Sequence, residues 1–211
     1  MPIAAADALV LVDIQTDFCA GGALAVPDGD AVVGPSNTLM AAAPFGVVVA
    51  TQDWHPPGHT SFATSHAGKQ PFDRIAMPYG EQTLWPDHCV QGTAGAAFHP
   101  DLDLDRVEMV VRKGFRADVD SYSAFQENDR KTFTGLAGYL RERGVKRVFL
   151  TGLAADVCVF FSAIDARAAG FETVFVEDAV RAIDPETGMA EARSEMSAAG
   201  VTLTTSGAAL A

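Results

Sequence analysis

The sequence predicts an α/β fold, a doubly wound parallel sheet of about six strands flanked by helices. Three observations carry this reading. Short apolar runs rich in β-branched residues recur along the chain, and several lack alternation, as strands buried on both faces require. Segments with helical spacing lie between them, punctuated by Gly and Pro. The 211 residues, 48% of them hydrophobic and spread throughout, suffice for one domain with a full core. No repeat, low-complexity run or linker divides the chain, so residues 1–211 read as a single domain.

Taken in order, residues 8–14 (ALVLVDI) form the first strand, with Asp13 at its C-terminal end. Such an acid is costly there unless it is paired or functional. A glycine-containing loop leads to an Ala-rich helix over 30–43, weakened near its start by Gly34 and Pro35. Residues 45–52 (FGVVVATQ) are the second strand and deliver Asp53, Trp54 and His55 at its end. Residues 54–106 are proline-rich, show no clean period and are too long for a passive loop. They read as an irregular insertion over the C-terminal edge of the sheet, with Trp85 as a core plug or a pocket wall. Residues 107–112 (VEMVVR) are the third strand, and Lys113 and Gly114 follow it. After the polar-aromatic loop 120–125 comes an amphipathic helix over 129–143. It turns Phe133, Leu136, Ala137 and Leu140 inward and stops at Gly144. Residues 148–151 are a strand broken by Gly152. Asp156 then reads as the N-cap of a helix with Val157, Phe160, Phe161, Ile164 and Ala168 on its inner face. A strand over 172–177, a helix over 185–199 and a short strand over 201–204 complete the pattern.

Composition excludes some functions. A net charge of −12, from 27 acidic and 15 basic residues, argues against nucleic acid and anionic membrane as partners. Three cysteines make no disulfide framework. The N-terminus lacks a basic n-region and no apolar run is long enough to span a bilayer, so a reducing cytoplasm is expected.

Three strands end in ionisable residues: Asp13, Lys113 and Cys158. In an open α/β sheet those ends share one edge, where ligands bind. Cys158 falls in the first turn of a helix, where free N–H groups and the helix dipole favour thiolate and offer donors to an oxyanion. A helix terminus contributes about 0.3–1 kcal/mol, at most about 2, against about 1.36 kcal/mol per pKa unit. The helix alone therefore lowers a thiol near ~8.5 by roughly one unit. An ammonium must supply the rest and a carboxylate must carry the proton, so base, stabiliser and nucleophile form a consistent set. Asp53 and His55, two residues apart in extended chain, point the same way, and His88 is a third candidate ligand. One oxygen and two nitrogens suit zinc, iron or manganese. A competing reading makes Cys158 a redox switch, but Cys19 and Cys89 lie in other motifs and no resolving cysteine is evident.

Several stretches together are specific: VDIQTDFCAGGALAV at 12–26, TQDWHPPGHTSFA at 51–63, LWPDHCVQGT at 84–93, RKGF and DSYSAF within 112–125, and TGLAADVCV at 151–159. Along nearly its whole length the chain resembles the nicotinamidase/pyrazinamidase group of the isochorismatase-like cysteine hydrolases. That resemblance implies deamidation of nicotinamide, and of pyrazinamide, through a cysteine thioester in NAD salvage. It implies Asp13, Lys113 and Cys158 as the catalytic triad. One divalent metal ion (zinc, iron or manganese) would sit on Asp53, His55 and His88, with His59 and Ser61 at the periphery. A cis peptide between Leu153 and Ala154 would aim the Ala154 and Cys158 N–H groups at the oxyanion. Phe18, Leu24, Trp85 and Tyr122 would line an aromatic slot for the ring. The protein would act on a small molecule as a monomer or homo-oligomer. Ala155 stands where the family often has Thr, and Val180 and Ala182 where it often has Cys and Gly. None of these is a triad or metal position.

Overall fold

The computed structural model describes residues 2–211; Met1, with which the expected domain begins, lies outside the described residues. The chain runs β1 (Asp7–Val12), α1 (Val33–Ala42), β2 (Val47–Asp53), a hairpin of β3 (Arg74–Met77) and β4 (Gly80–Thr83), β5 (Met109–Lys113), α2 (Leu136–Glu142), β6 (Arg147–Leu153), α3 (Cys158–Ala168), β7 (Glu172–Arg181), α4 (Thr187–Ala198), β8 (Thr202–Thr204) and α5 (Ser206–Leu210). The six strands outside the hairpin form one parallel sheet in the order β5-β2-β1-β6-β7-β8. β1, β2 and β6 are buried at every position, which explains their unbroken apolar runs. Alternate residues serve opposite layers. Leu9, Leu11, Val48 and Phe149 pack with Leu39 and Met40 of α1. Ala8, Val10, Val49 and Leu150 pack with Leu136 and Leu140 of α2 and Val159 and Ala163 of α3.

The order of strands reverses at β1 and β6, whose register pairs Leu9 with Phe149 and Val12 with Gly152. A crevice opens at the C-terminal ends of strands at such a switch point. Gly152 is required here, because it has φ 111° and a Cβ would lie 2.0 Å from the Val12 carbonyl oxygen.

Some expectations are corrected. α2 begins at Leu136 rather than at 129. The Asp129 carboxylate instead accepts from the Lys131 and Thr132 amides and the Thr132 hydroxyl, and this local turn competes with helix. Phe133, expected inward, is therefore 70% exposed. α3 buries Cys158, Val159, Phe160, Ser162, Ala163 and Ala166, whereas Ala168 is exposed and Phe161 and Ile164 are half-buried. Asp156 is not the N-cap of α3. The cap is Val157, and Asp156 accepts from the Ile183 and Asp184 amides at 2.9 and 2.8 Å, tying down the chain after β7. β7 runs on to Arg181 through a register shift opposite Leu150 and Gly152. The 54–106 insertion contains an antiparallel hairpin that its composition did not reveal. No helix among the described residues is long and apolar enough to cross a membrane.

Candidate active site

Asp13 follows β1 in a left-handed turn, φ 47°, closed by a bond from the Gln15 amide to the Asp13 carbonyl. Its carboxylate meets Lys113, the last residue of β5, at 2.7 Å. The same ammonium lies 2.6 Å from Asp53, donates to the Ser121 carbonyl at 2.9 Å and approaches the Cys158 sulfur at 3.5 Å. Asp13, Asp53 and Cys158 present ligand atoms within 4.8 Å of one another. All four side chains are buried. The structure thus brings the three strand-end residues together.

One ammonium faces two carboxylates and a thiol in a buried site. Burial pushes the Asp13 carboxyl up to about 6 against the pull of Lys113, with Asp53 adding to the rise. Asp53 is also penalised by burial, yet Lys113 and His55 hold it well below the usual carboxylate range. Lys113 opposes its own desolvation through Asp13 and Asp53 and stays charged far above neutrality. Burial raises the Cys158 thiol well above its ordinary value although Lys113 pulls the other way. Cys158 therefore rests as a thiol despite its place at the helix start, because burial outweighs the pull of Lys113. Among the described residues, neither the Ala154 nor the Cys158 amide donates to a protein acceptor. Both flank the sulfur's turn, and the Leu153–Ala154 peptide is cis.

Asp53, His55 and His88 also converge. The Asp53 Oδ2 atom is 3.7 Å from His55 Nε2 and 3.8 Å from His88 Nε2. A carbonyl can only accept, so contacts of His55 Nδ1 with Gly114 O at 2.9 Å and of His88 Nδ1 with Pro86 O at 2.8 Å place the ring protons on Nδ1. Both Nε2 atoms then face Asp53, with carbonyls fixing the rings as metal-ligating histidines need. This donor set fits a divalent cation. His59 differs: its Nε2 faces the Arg116 and Val119 carbonyls and so carries hydrogen, while Nδ1 accepts from the Ser61 hydroxyl at 2.7 Å. Both its nitrogens are engaged, and His59 stacks beside His55 with ring centroids 4.4 Å apart.

A narrow slot opens above the thiol. Phe18, Leu24, Trp85 and Tyr122 line it, with His88, Asp53 and Ala154. Asp120, Val157 and Ile183 also border it; Asp120 lies in the DSYSAF stretch without an assigned role, Val157 is expected from spacing only on the inner face of a helix, and nothing singles out Ile183. Other contributors escaped the sequence reading because their roles are long-range. The Gln15 side chain clamps the Asp53 backbone, donating to its carbonyl at 2.9 Å and accepting from its amide at 2.8 Å. Asp17 accepts from the Cys89 amide at 2.7 Å and the Ala23 amide at 3.2 Å, fastening the Phe18–Leu24 loop to the His88 loop. Thr51 donates to Asp13 Oδ1 at 2.6 Å. An Asp, Gln or Thr beside a strand end is too common a pattern to flag these.

The isochorismatase domain family matches residues 7–208. A nicotinamidase of Acinetobacter baylyi is 52% identical over 194 residues, covering 92% of this chain and 90% of that protein. The structure of a nicotinamidase/pyrazinamidase from Acinetobacter baumanii superposes with a TM-score of 0.94 at 48% identity, over 97% of this chain and 98% of that one. A pyrazinamidase of Pyrococcus horikoshii in complex with zinc matches with a TM-score of 0.74 at 37% identity, over 94% and 98% of the two chains.

Proposed function

The chain belongs to the isochorismatase domain family, and from its likeness to the nicotinamidases within it we infer that it deamidates nicotinamide to nicotinate and ammonia. The reaction is hydrolysis of a linear amide, and pyrazinamide is a second substrate of the same shape and chemistry. Its place is in NAD salvage.

The observation that carries the mechanism is the meeting of Asp13, Lys113 and Cys158 at the floor of an aromatic slot. A neutral thiol beside an ionised Asp13 is a poised pair: proton transfer creates the nucleophile as it attacks. The sulfur forms a bond to the carboxamide carbon and the carbonyl oxygen takes the electron pair. The Ala154 and Cys158 amides are the free donors that receive it. Asp13 then gives the proton to the departing nitrogen, the C–N bond breaks and ammonia leaves a thioester. Asp13 next takes a proton from water, whose oxygen attacks that thioester; the C–S bond breaks, Asp13 returns the proton to the sulfur, and nicotinic acid leaves and ionises to nicotinate. Lys113 remains charged throughout and balances whichever carboxylate or thiolate is ionised. Asp53, His55 and His88 would hold a divalent cation, zinc, iron or manganese. When bound it offers an electron-pair acceptor for the ring nitrogen and so orients the ring. His59, held by the Ser61 hydroxyl, packs against the His55 ring.

Incubation with nicotinamide should yield ammonia and nicotinate in equal amounts. Cys158→Ala should abolish turnover with the fold unchanged by far-UV circular dichroism. An alkylating label that reaches Cys19 or Cys89 first, with activity lost in step, would overturn the assignment of the nucleophile.

A further inference from the structure

The β3–β4 hairpin is mostly exposed or half-buried, yet one of its side chains, Gln82, is completely buried. A buried amide costs free energy unless its bonds are made, and this one is densely bonded. Its nitrogen lies 2.9 Å from the Tyr122 hydroxyl, 2.8 Å from Asp120 Oδ2 and 2.7 Å from the Thr83 carbonyl. Its oxygen accepts from the Tyr79 hydroxyl at 3.1 Å. The Tyr122 hydroxyl also accepts from Trp85 Nε1 at 3.2 Å. Tyr122 and Trp85 are two walls of the slot, and Asp120 borders it.

Tyr122 packs between Trp85 and Phe161, with ring centroids 6.1 and 5.4 Å away. Besides the slot it borders two open surface grooves, one beside Tyr79 and Asn128 and one beside Thr83 and Glu191. Packing therefore closes the ring in on some sides only, and the bonds on its hydroxyl set how it stands in the slot. We propose that Gln82 is a positioning residue that sets substrate specificity: by holding the Tyr122 hydroxyl it fixes the slot's width and excludes rings bulkier than nicotinamide. Gln82 touches no reacting atom and acts through Tyr122. This deepens the nicotinamide reading and rests on it.

Binding is measured by tryptophan fluorescence in the Cys158→Ala protein, with nicotinamide and with ring-methylated nicotinamides, so that the slot is probed without turnover. Gln82→Met, close in length and unable to hydrogen-bond in this way, should weaken nicotinamide binding about tenfold, the scale of one lost buried hydrogen bond. It should also shrink the preference for nicotinamide over its methylated forms. Tyr122→Phe, with Gln82 intact, should widen the slot likewise. Combining the two should do no more than either alone, since both remove the same bond. The proposal is overturned if Gln82→Met lowers Tm but keeps wild-type affinity and discrimination, or if the two effects add. If Gln82→Met does not fold, wild-type discrimination in Tyr122→Phe overturns it. Hydrolysis by the unmodified enzyme is scored separately, so failed deamidation with intact binding preference would sink the reaction and spare the slot.

Discussion

The Lys113 ammonium serves two carboxylates and one sulfur, and each depends on it differently. Lys113→Met would leave Asp13 and Asp53 facing each other in a buried site. Activity should fall by about a thousandfold or more, because members of such a unit are strongly non-additive. Steady-state rates on nicotinamide check this. Asp13 governs the acid side. A carboxyl raised to about 6 is protonated below that pH and cannot take the thiol proton. Turnover should therefore rise with pH through a single-proton limb near 6. A cation on Asp53 would move the limb down and never up, since positive charge favours the ionised form. A profile of kcat/KM against pH reads it, and a limb well above 7 would contradict the assignment.

At the scale of elements, a turn can matter more than the strand it ends. Gly114 follows β5 with φ 66°, and a Cβ there would lie 2.5 Å from the His55 ring. Gly144 has a similar φ, 73°, with nothing within 4 Å. Gly114→Ala should displace the His55 ring and lower metal content per chain, and activity with it. Gly144→Ala should keep full metal and activity and lose only about 1 kcal/mol of stability. Elemental analysis beside denaturant titration separates the two. Equal metal content in both variants would mean that the Gly114 carbonyl and its close approach do not orient His55. α2 and α3 teach a similar lesson about period. Helical spacing placed Phe133 and Ala168 inward, but the first lies in a turn organised by Asp129 and the second on the open side of α3.

Over the whole molecule, chemistry and stability occupy opposite ends of the sheet. The side chains proposed for catalysis and metal binding lie at or just beyond the C-terminal ends of β1, β2, β5 and β6. At the N-terminal ends, Asp7 and Arg147, paired in register across β1 and β6, make a buried bidentate contact at 2.5 and 3.1 Å. Removing one partner of such a pair strands a charge. Asp7→Ala should therefore cost about 3–5 kcal/mol of stability while the folded enzyme keeps its kcat and KM. Urea unfolding and assays well below the transition test both halves. A large change in KM would show the two ends to be coupled.

The sequence by itself determined the sheet and the edge where the chemistry sits. Strands buried on both faces leave unbroken apolar runs, and a parallel sheet collects the residues that follow them. Asp13, Lys113 and Cys158 were thus legible as a set, and Asp53 with His55 as a pair on one side of extended chain. The aromatic slot and the Ala154 donor came from resemblance, whereas donors at the Cys158 helix start were legible from position. Tertiary structure alone decided what each of these groups meets. Asp53 touches Lys113 on one oxygen and faces two imidazoles with the other, joining the proposed catalytic and metal clusters across 60 residues of sequence. Gln82 reaches Tyr122 across 40, and burial keeps Cys158 a thiol where its helix position alone favours thiolate. Local sequence carries period and turn chemistry. Desolvation and charge pairing depend on neighbours that only folding brings near, so protonation state and ring position could be read only from the folded chain.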